Sequence, residues 1–424
     1  MNIILFEDEA AEKFSPLALL RPVYELRTGI RSLREKFEHH LAPQMETPLA
    51  LHCRPHLAPV WRENFPGVPI NVCTERDTLF VNGRVVCDDA FAKKILSGNL
   101  AEGKAYFNGG QLIAFRCIPK ELFGETLPEK IEAKFISEKL SAHQLDCTYV
   151  AFLWDLIRLH ASEFTREINS LPHLGEVRGQ VHPRATLVNE KKIFIAEGAD
   201  IRAGAVLDAT DGAIAVMKGA SVWPNAVLMQ GVFIGEGSTV KIGAKIYEHV
   251  YLGKRCKAGG EIEASIFDDC SNKQHDGFVG HSYISSWCNL GADTNTSDLK
   301  NNYGAVRMNS GGKEIDTKMT FLGLIMGEHS KSAIGTMFNT GALVGMSSNI
   351  FGAGFPPKTI GSFQWGGAEN KSVEKKSAEN KFVRYELEKA LDVAKVVMKR
   401  RGLTMSEEYE SLFRTVFERE STGK

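Results

Sequence analysis

Seven aliphatic residues recur at every sixth position without a break: Val216, Val222, Leu228, Ile234, Val240, Ile246 and Leu252. Several are followed by glycine, as in Ile234-Gly235 and Leu252-Gly253. An α-helix returns a side chain to one face about every 3.6 residues and a strand every two, so neither a helix nor a flat sheet accounts for a period of six. A left-handed parallel β-helix does, each hexad forming one side of a triangular coil with its aliphatic residue pointing inward. Ile195, Ile201 and Leu207 carry the period upstream in another phase, and the insert Asp208–Gly212 is expected to loop out and reset the count. Downstream, Ile266, Phe278, Ile284 and Leu290 predict a third run with Asn272 as its polar member. Beyond a polar insert near 295–318, Val344-Gly345 and Ile350-Phe351 predict further coils. The β-helix is expected over roughly 181–363, on the order of ten coils at about eighteen residues each.

A chain of 424 residues exceeds one ordinary core, so two or three domains are expected. Residues 1–170 read as a Rossmann-like α/β domain. Asn2–Phe6 is a short apolar first strand, and Leu49–Cys53 and Ile70–Cys73 look like buried strands. Ile30–His39 and Phe152–Ile168 have helical spacing. Asn82-Gly83 and Asn108-Gly109-Gly110, each between apolar runs, predict hairpins. Strands alternating with helices suggest a mostly parallel sheet with nucleotide-binding potential. Residues 171–180 form the link, 181–367 the β-helix domain, and 368–424 a loop and terminal helices. Gly361–Ser377 reads as loop. Phe382–Arg400 and Glu407–Glu420 are amphipathic, the second with a stripe of Tyr409, Leu412, Phe413, Val416 and Phe417 and a capping-box pair in Thr404 and Glu407. These helices are expected to cover the open end of the β-helix or to pack between subunits.

The formal charge of −1 gives no electrostatic case for nucleic acid or an anionic membrane as partner. No run approaches the roughly 18 apolar residues of a membrane span. The N-terminus turns acidic after one strand and does not read as a signal peptide. The eight cysteines contain no CxxC pair, which predicts a reduced, cytoplasmic setting and no zinc ribbon.

Two further stretches carry a resemblance. Pro16-Leu17-Ala18-Leu19-Leu20-Arg21-Pro22-Val23-Tyr24-Glu25-Leu26-Arg27-Thr28-Gly29-Ile30 lies in the α/β half, and Gly335-Thr336-Met337-Phe338-Asn339-Thr340-Gly341, continuing to Gly354–Lys358, lies in the β-helix. With the overall plan, these resemble the bifunctional sugar-phosphate nucleotidyltransferase/acetyltransferases, the best known of which makes UDP-N-acetylglucosamine from glucosamine-1-phosphate. The resemblance is to a divergent, Bacteroidetes-type branch of sugar nucleotidyltransferases, and it covers about 1–367.

The resemblance implies two sites. In the β-helix, Lys273-Gln274-His275-Asp276-Gly277-Phe278-Val279-Gly280-His281 is similar to the family's general-base motif, and Asn289-Leu290-Gly291-Ala292-Asp293-Thr294 follows at the family's distance. His275 is thus implied as the base and Asn289 as the residue that fixes the acetyl group or the amine. Imidazole suits a base because its pKa lies near neutrality, and an attacking amine must shed a proton. The chain departs from the pattern at Phe278, in place of tyrosine, at Glu263, in place of a phosphate-binding lysine, and at Lys245, in place of arginine. In the α/β half the glycine-rich phosphate loop is absent. Arg21 and Arg27 are the candidate phosphate clamps; the alternative is ion pairing with Glu25 or Glu35. Asn82 falls on the family's metal-binding aspartate. Asp155, in Trp154-Asp155-Leu156, is the candidate Mg²⁺ ligand; the alternative is a helix cap. Acetyl-CoA and a nucleoside triphosphate are the implied co-substrates, sugar phosphates and nucleotides the implied small-molecule partners, and a homotrimer with acyl-CoA between neighbouring β-helices the implied assembly. The polar insert Thr294–Lys318 is placed either to reach a neighbour's site or as a solvated loop. Two other readings compete: a zinc carbonic anhydrase using His249, His275 and His281, and a non-catalytic sugar-nucleotide sensor on the same scaffold.

Overall fold

The computed structural model describes residues 2–41, 48–368 and 380–422. The chain divides into two compact units. One comprises Met1–Arg27, Arg31–Leu153 and Ser406–Arg419; the other comprises Thr28–Ile30, Trp154–Met405 and Glu420–Lys424.

The first unit is built on a six-stranded sheet of β1 (Asn2–Phe6), β2 (Ala50–His52), β3 (Thr78–Asn82), β4 (Lys104–Asn108), β5 (Gln111–Cys117) and β6 (Ser141–Gln144), in the order β2-β1-β3-β5-β4-β6. The pairs around β1 are parallel, whereas β5 runs antiparallel to both β3 and β4, so the sheet is mixed. Phe80 stacks on Phe115 at 4.5 Å with Phe6 edge-on at 5.6 Å, and this aromatic set anchors the sheet's core. The hairpin expected at Asn108–Gly110 forms between β4 and β5, with Gly109 and Gly110 at φ 55° and 84°, as a two-residue hairpin turn of this kind requires. The hairpin expected at Asn82-Gly83 does not form. The neighbours of β3 are β1 and β5, and the Asn82 Oδ1 accepts the Arg84 N–H at 2.9 Å, turning the chain out of the sheet. Ile70–Cys73 makes only an isolated bridge at Ile70, and Val72 is 46% exposed, so it is no buried strand.

The helix Glu407–Thr422 is placed differently from expectation. Residues 406–419 belong to this α/β unit, not to an end of the β-helix. Leu412, Phe413 and Val416 are buried, Ser406 Oγ donates to Glu63 at 2.7 Å, and Arg419 reaches His56 at 3.2 Å. Its cap is Ser406, whose hydroxyl accepts the Tyr409 N–H at 3.2 Å, in place of the Thr404 pairing.

The second unit is a left-handed parallel β-helix. Its strands stack into sheets of six, nine and eleven, the last including two strands of the C-terminal segment. All seven residues of the Val216–Leu252 run are fully buried, as are Ile195, Ile201 and Leu207. Burial of such a side chain contributes roughly 1.5–3 kcal/mol, and the stack repeats it coil after coil. Of the insert, Asp208 stays in the ladder, paired with Val188 and Met229, while 209–212 loop out and Ile195 pairs directly with Val216. The third run needs correction. Ala258, Ile262 and Phe267 follow at steps of four and five, so the inward residues are Phe267, Lys273 and Val279, each one place beyond Ile266, Asn272 and Phe278. Ile284 and Leu290 keep their inward places, as do Val344 and Ile350. Tyr283–Ile284 pairs directly with Ile325–Met326, so the polar insert leaves the coil between them and carries its own hairpin, Arg307–Ser310 with Lys313–Asp316.

Within the segment read as loop from Gly361, Gln364–Ala368 is a strand pairing with Ile350's strand and with Asn380–Arg384; 369–377 lie outside the described residues. The helix Leu387–Lys399 follows, and Arg401 beyond it donates to Asn272 and accepts from Arg255 at 2.9 Å through its carbonyl. The chain just past this helix is therefore tied to the eleven-stranded sheet at Asn272. The helices Asp155–Arg158 and His160–Ile168 also belong to this unit.

Candidate functional site

The site begins with an inward-facing lysine. Lys273 occupies a ladder position held by Val240, Ala258 and Leu290 in neighbouring coils, and it is fully buried. Its ammonium cannot reach water, so it finds backbone oxygen: Nζ donates to the carbonyl of His275 and, at 2.5 Å, to that of Asp276. Burial pushes its pKa down to about 8. Two further bonds hold the same turn, Asp293 N–H to the Asp276 carbonyl at 2.9 Å and Phe278 N–H to Asn295 Oδ1 at 2.8 Å. Gly277, at φ 108°, permits the approach of the next coil: a Cβ there would lie 2.3 Å from the Thr294 carbonyl oxygen. The side chain of His275 stands exposed on this fastened turn.

Asn289 lies one coil further on, its strand paired with Asn272–Lys273 and its Oδ1 3.4 Å from Asn272 Nδ2. The fold thus brings Asn289 beside the strand that leads into the His275 turn. Lys245 is exposed, with Nζ 3.6 Å from Glu261.

Sequence reasoning did not join Glu263, His281 and Asp298. His281 Nδ1 lies 2.8 Å from Asp298 Oδ2 and 3.8 Å from Glu263 Oε1, and Phe321 stacks on the imidazole at 5.0 Å. Burial, with the Asp298 charge adding to it, raises the Glu263 carboxyl above its usual range against a bond from Tyr247. The signal was present but masked: coils here are seventeen residues long, the offset of both Glu261 from Phe278 and His281 from Asp298. His249 stands apart from this group. It bonds Thr165 at 3.0 Å and packs on Phe164, so a three-histidine zinc site with His275 and His281 is not assembled.

In the α/β unit, Asn82 is buried and fully committed: Nδ2 donates to Asp8 at 2.9 Å and to the Leu112 carbonyl at 2.8 Å. Arg84 pairs with Asp8, and Arg54 pairs with Glu7 at 3.1 Å, so the buried acids just beyond β1 are each neutralised by an arginine. Arg54 also donates to the Arg21 carbonyl at 2.9 Å. Arg27 pairs with Glu35 at 2.9 Å, the ion-pair alternative of the sequence reading. Asp155 is buried and paired with Arg158, and it belongs to the other unit. Asp155, the candidate Mg²⁺ ligand, is thus a carboxylate already paired with a cation, and Asn82, at the family's metal-binding position, is an amide with its donors spent, a set that does not fit Mg²⁺. A cavity of about 610 Å³, lined by Asn2, Ala50, Thr78, Glu75 and Lys120, opens at the N-terminal ends of β1 to β3, away from these groups.

Residues 3–173 match the sugar nucleotidyl transferase family. The bifunctional protein GlmU of Methanococcus maripaludis (strain C5) is 30% identical over 131 residues, 31% of this chain and 26% of that protein. The bifunctional protein GlmU of Methanocaldococcus jannaschii is 29% identical over 126 residues, 30% of this chain and 25% of that protein. The chain thus spans about a quarter of the length of these curated relatives. Solved structures with partial likeness include an Arabidopsis UDP-N-acetylglucosamine acyltransferase (14% identity, TM-score 0.26, 54% of this chain and 79% of that one). Another is a UDP-N-acetylglucosamine acyltransferase of Bacteroides fragilis (13% identity, TM-score 0.23, 56% and 95%). Overlaps of that size carry no weight for this chain. No helix among the described residues is long and apolar enough to cross a membrane. Over residues 3–173, then, the chain is similar to the sugar nucleotidyl transferases, a family of transferases.

Proposed function

We propose that this protein is a bifunctional enzyme of nucleotide-sugar synthesis. It N-acetylates an amino-sugar phosphate from acetyl-CoA and transfers a nucleotidyl group from a nucleoside triphosphate to a sugar-1-phosphate, giving UDP-N-acetylglucosamine or a related nucleotide-sugar. The observation that carries the first activity is the exposed His275 on a turn fastened from inside by Lys273, one coil from Asn289. The His275 imidazole removes a proton as the acceptor amine attacks the thioester carbonyl; the C–N bond forms, the C–S bond breaks and coenzyme A leaves as the thiol. Asn289 donates to the acetyl oxygen as it gains charge. The second activity rests on the family match of residues 3–173. There an oxygen of the sugar-1-phosphate attacks the α-phosphorus and pyrophosphate leaves. Mg²⁺ is the family expectation for this half. The working form is a cytoplasmic homotrimer, with acyl-CoA between neighbouring β-helices.

Mass spectrometry of the protein with acetyl-CoA, Mg²⁺, amino-sugar-1-phosphates and mixed nucleoside triphosphates, beside His275→Ala, tests both halves. Acetylated sugar lost only in the variant, with a nucleotide-sugar formed, supports both activities. A well-folded protein that forms neither rejects the bifunctional reading for that panel. One observation favours a second reading for the α/β half, namely sugar-nucleotide binding without turnover: the buried acids beyond β1 are neutralised by arginines and Asn82 is spent. Nucleotide binding without pyrophosphate release would select it.

A further inference from the structure

Three consecutive turns of the β-helix deliver Glu263, His281 and Asp298 to one place. Glu263 ends the strand Glu261–Glu263, His281 follows the strand Phe278–Gly280 stacked on it, and Asp298 follows Asn295–Thr296. One imidazole nitrogen and one oxygen from each carboxylate lie within 4.8 Å of one another. Several features of the chain favour this convergence. Asp298 approaches across Gly280, where a Cβ would stand 2.3 Å from its Oδ2, so any larger residue there would push the carboxylate from its place. The Phe321 ring packs face-on against His281 and fixes the imidazole plane. Asp298 is 8% exposed, so its charge is largely removed from water. The nearby Lys245 is turned to Glu261 instead. Two carboxylates held this close in a half-buried place repel each other, and a cation shared between them offsets that cost.

We propose that Glu263, His281 and Asp298 bind a divalent first-row metal ion, of the Zn²⁺ or Mn²⁺ class. A mixed set of one imidazole and two carboxylates favours such ions over Mg²⁺ or Ca²⁺, which prefer all-oxygen shells. Three protein ligands leave at least one position open. The bound ion then receives the phosphate of the acceptor, and Glu263, which reverses the charge expected at its position, serves to hold that ion. This second step rests on the acetyl-transfer reading; the metal site itself does not.

The test separates the two. Full-length protein is stripped with chelator, then titrated with Zn²⁺ or Mn²⁺ alone by calorimetry, with metal content read by mass spectrometry. One ion per chain is expected, with affinity at least tenfold above that for Mg²⁺. Glu263→Gln and Asp298→Asn, each checked for an unchanged fold by circular dichroism, are expected to lose at least tenfold in affinity. Absence of uptake by the folded protein, or uptake unchanged in both variants, overturns the site, while the His275→Ala assay still judges acetyl transfer separately. With metal bound, affinity for a phosphorylated amino sugar is expected to rise at least tenfold over the metal-free protein, and that for the dephosphorylated sugar to stay the same. Equal changes for both sugars overturn the phosphate role. The folded Glu263→Lys variant is expected to lose the ion yet bind the phosphorylated sugar without metal; failure to bind that sugar also counts against the phosphate role.

Discussion

The coils from Val216 to Leu252 and those from Ala258 to Asp298 share one scaffold and differ in what they do with its interior. In the first stretch every inward residue at the sixth position is aliphatic and fully buried. In the second, the steps shorten at Ile262 and Phe267, an ammonium takes an inward place at Lys273 and fastens the His275 turn, and Glu263, His281 and Asp298 gather past the strands of another side. Regular repetition builds a rod that holds position. The proposed chemistry stands where the repetition is broken and a polar group must be satisfied by a particular backbone turn.

Substitutions can break or sharpen that contrast. His275→Ala is expected to lower acetyl transfer by about 100- to 10,000-fold with thermal stability unchanged, because the side chain is exposed and its proposed role is proton removal; steady-state kinetics beside a melting curve checks it. Leu228→Ala, in the regular stretch, is expected to do the reverse, costing about 2–5 kcal/mol of stability through a cavity while leaving turnover of the folded fraction intact, as read by denaturant unfolding. Asn82→Asp is expected to destabilise by roughly 1–3 kcal/mol, since it sets a carboxylate against Asp8 and removes two donated bonds. A gain of metal binding without that loss would show that Asn82 is no structural amide.

Lys273→Met sharpens the comparison by giving the irregular coil a regular interior. The folded lysine titrates at about 8, below its range in the unfolded chain, so between about pH 8 and 10.4 the unfolded state binds the extra proton. Stability of the native sequence relative to Lys273→Met is therefore expected to rise with pH across that window, and acetyl transfer to fall in the variant at every pH as the turn loosens. Melting curves of both proteins at pH 7 and 10 decide this; a constant difference would place the lysine in water. The smallest effect is expected at Lys245. Its side chain is exposed and its ion pair with Glu261 is long, so Lys245→Ala should leave stability within about 0.5 kcal/mol and alter at most the acceptor KM.

The β-helix was legible because a six-residue period in aliphatic residues has one structural solution, and Val216 through Leu252 carried it without interruption. The slip of one residue at Ile266, Asn272 and Phe278 arose because Gly259-Gly260 and Ala264-Ser265 shorten two corners, and a count cannot see a shortened corner when the following residue is also apolar. Lys273 was hidden for the same reason: a lysine inside a hydrophobic ladder contradicts the pattern, and only the two carbonyls beneath it explain the exception. In the α/β half, Asn82-Gly83 has a hairpin's composition, yet the strands that pair with β3 come from elsewhere in the chain, which local sequence does not encode. The stripe of Leu412, Phe413 and Val416 announced a buried helix face without naming the surface that buries it.

The most direct measurement is single-turnover acetyl transfer from acetyl-CoA to amino-sugar-1-phosphates, followed by thiol release and product mass, for the native protein, His275→Ala and Asn289→Ala. Stoichiometric acetylated sugar from the native protein, slowed by at least 100-fold in His275→Ala and to a lesser degree in Asn289→Ala, is the predicted result. Transfer of equal rate in all three folded proteins would contradict the assignment of this chemistry to the His275 turn.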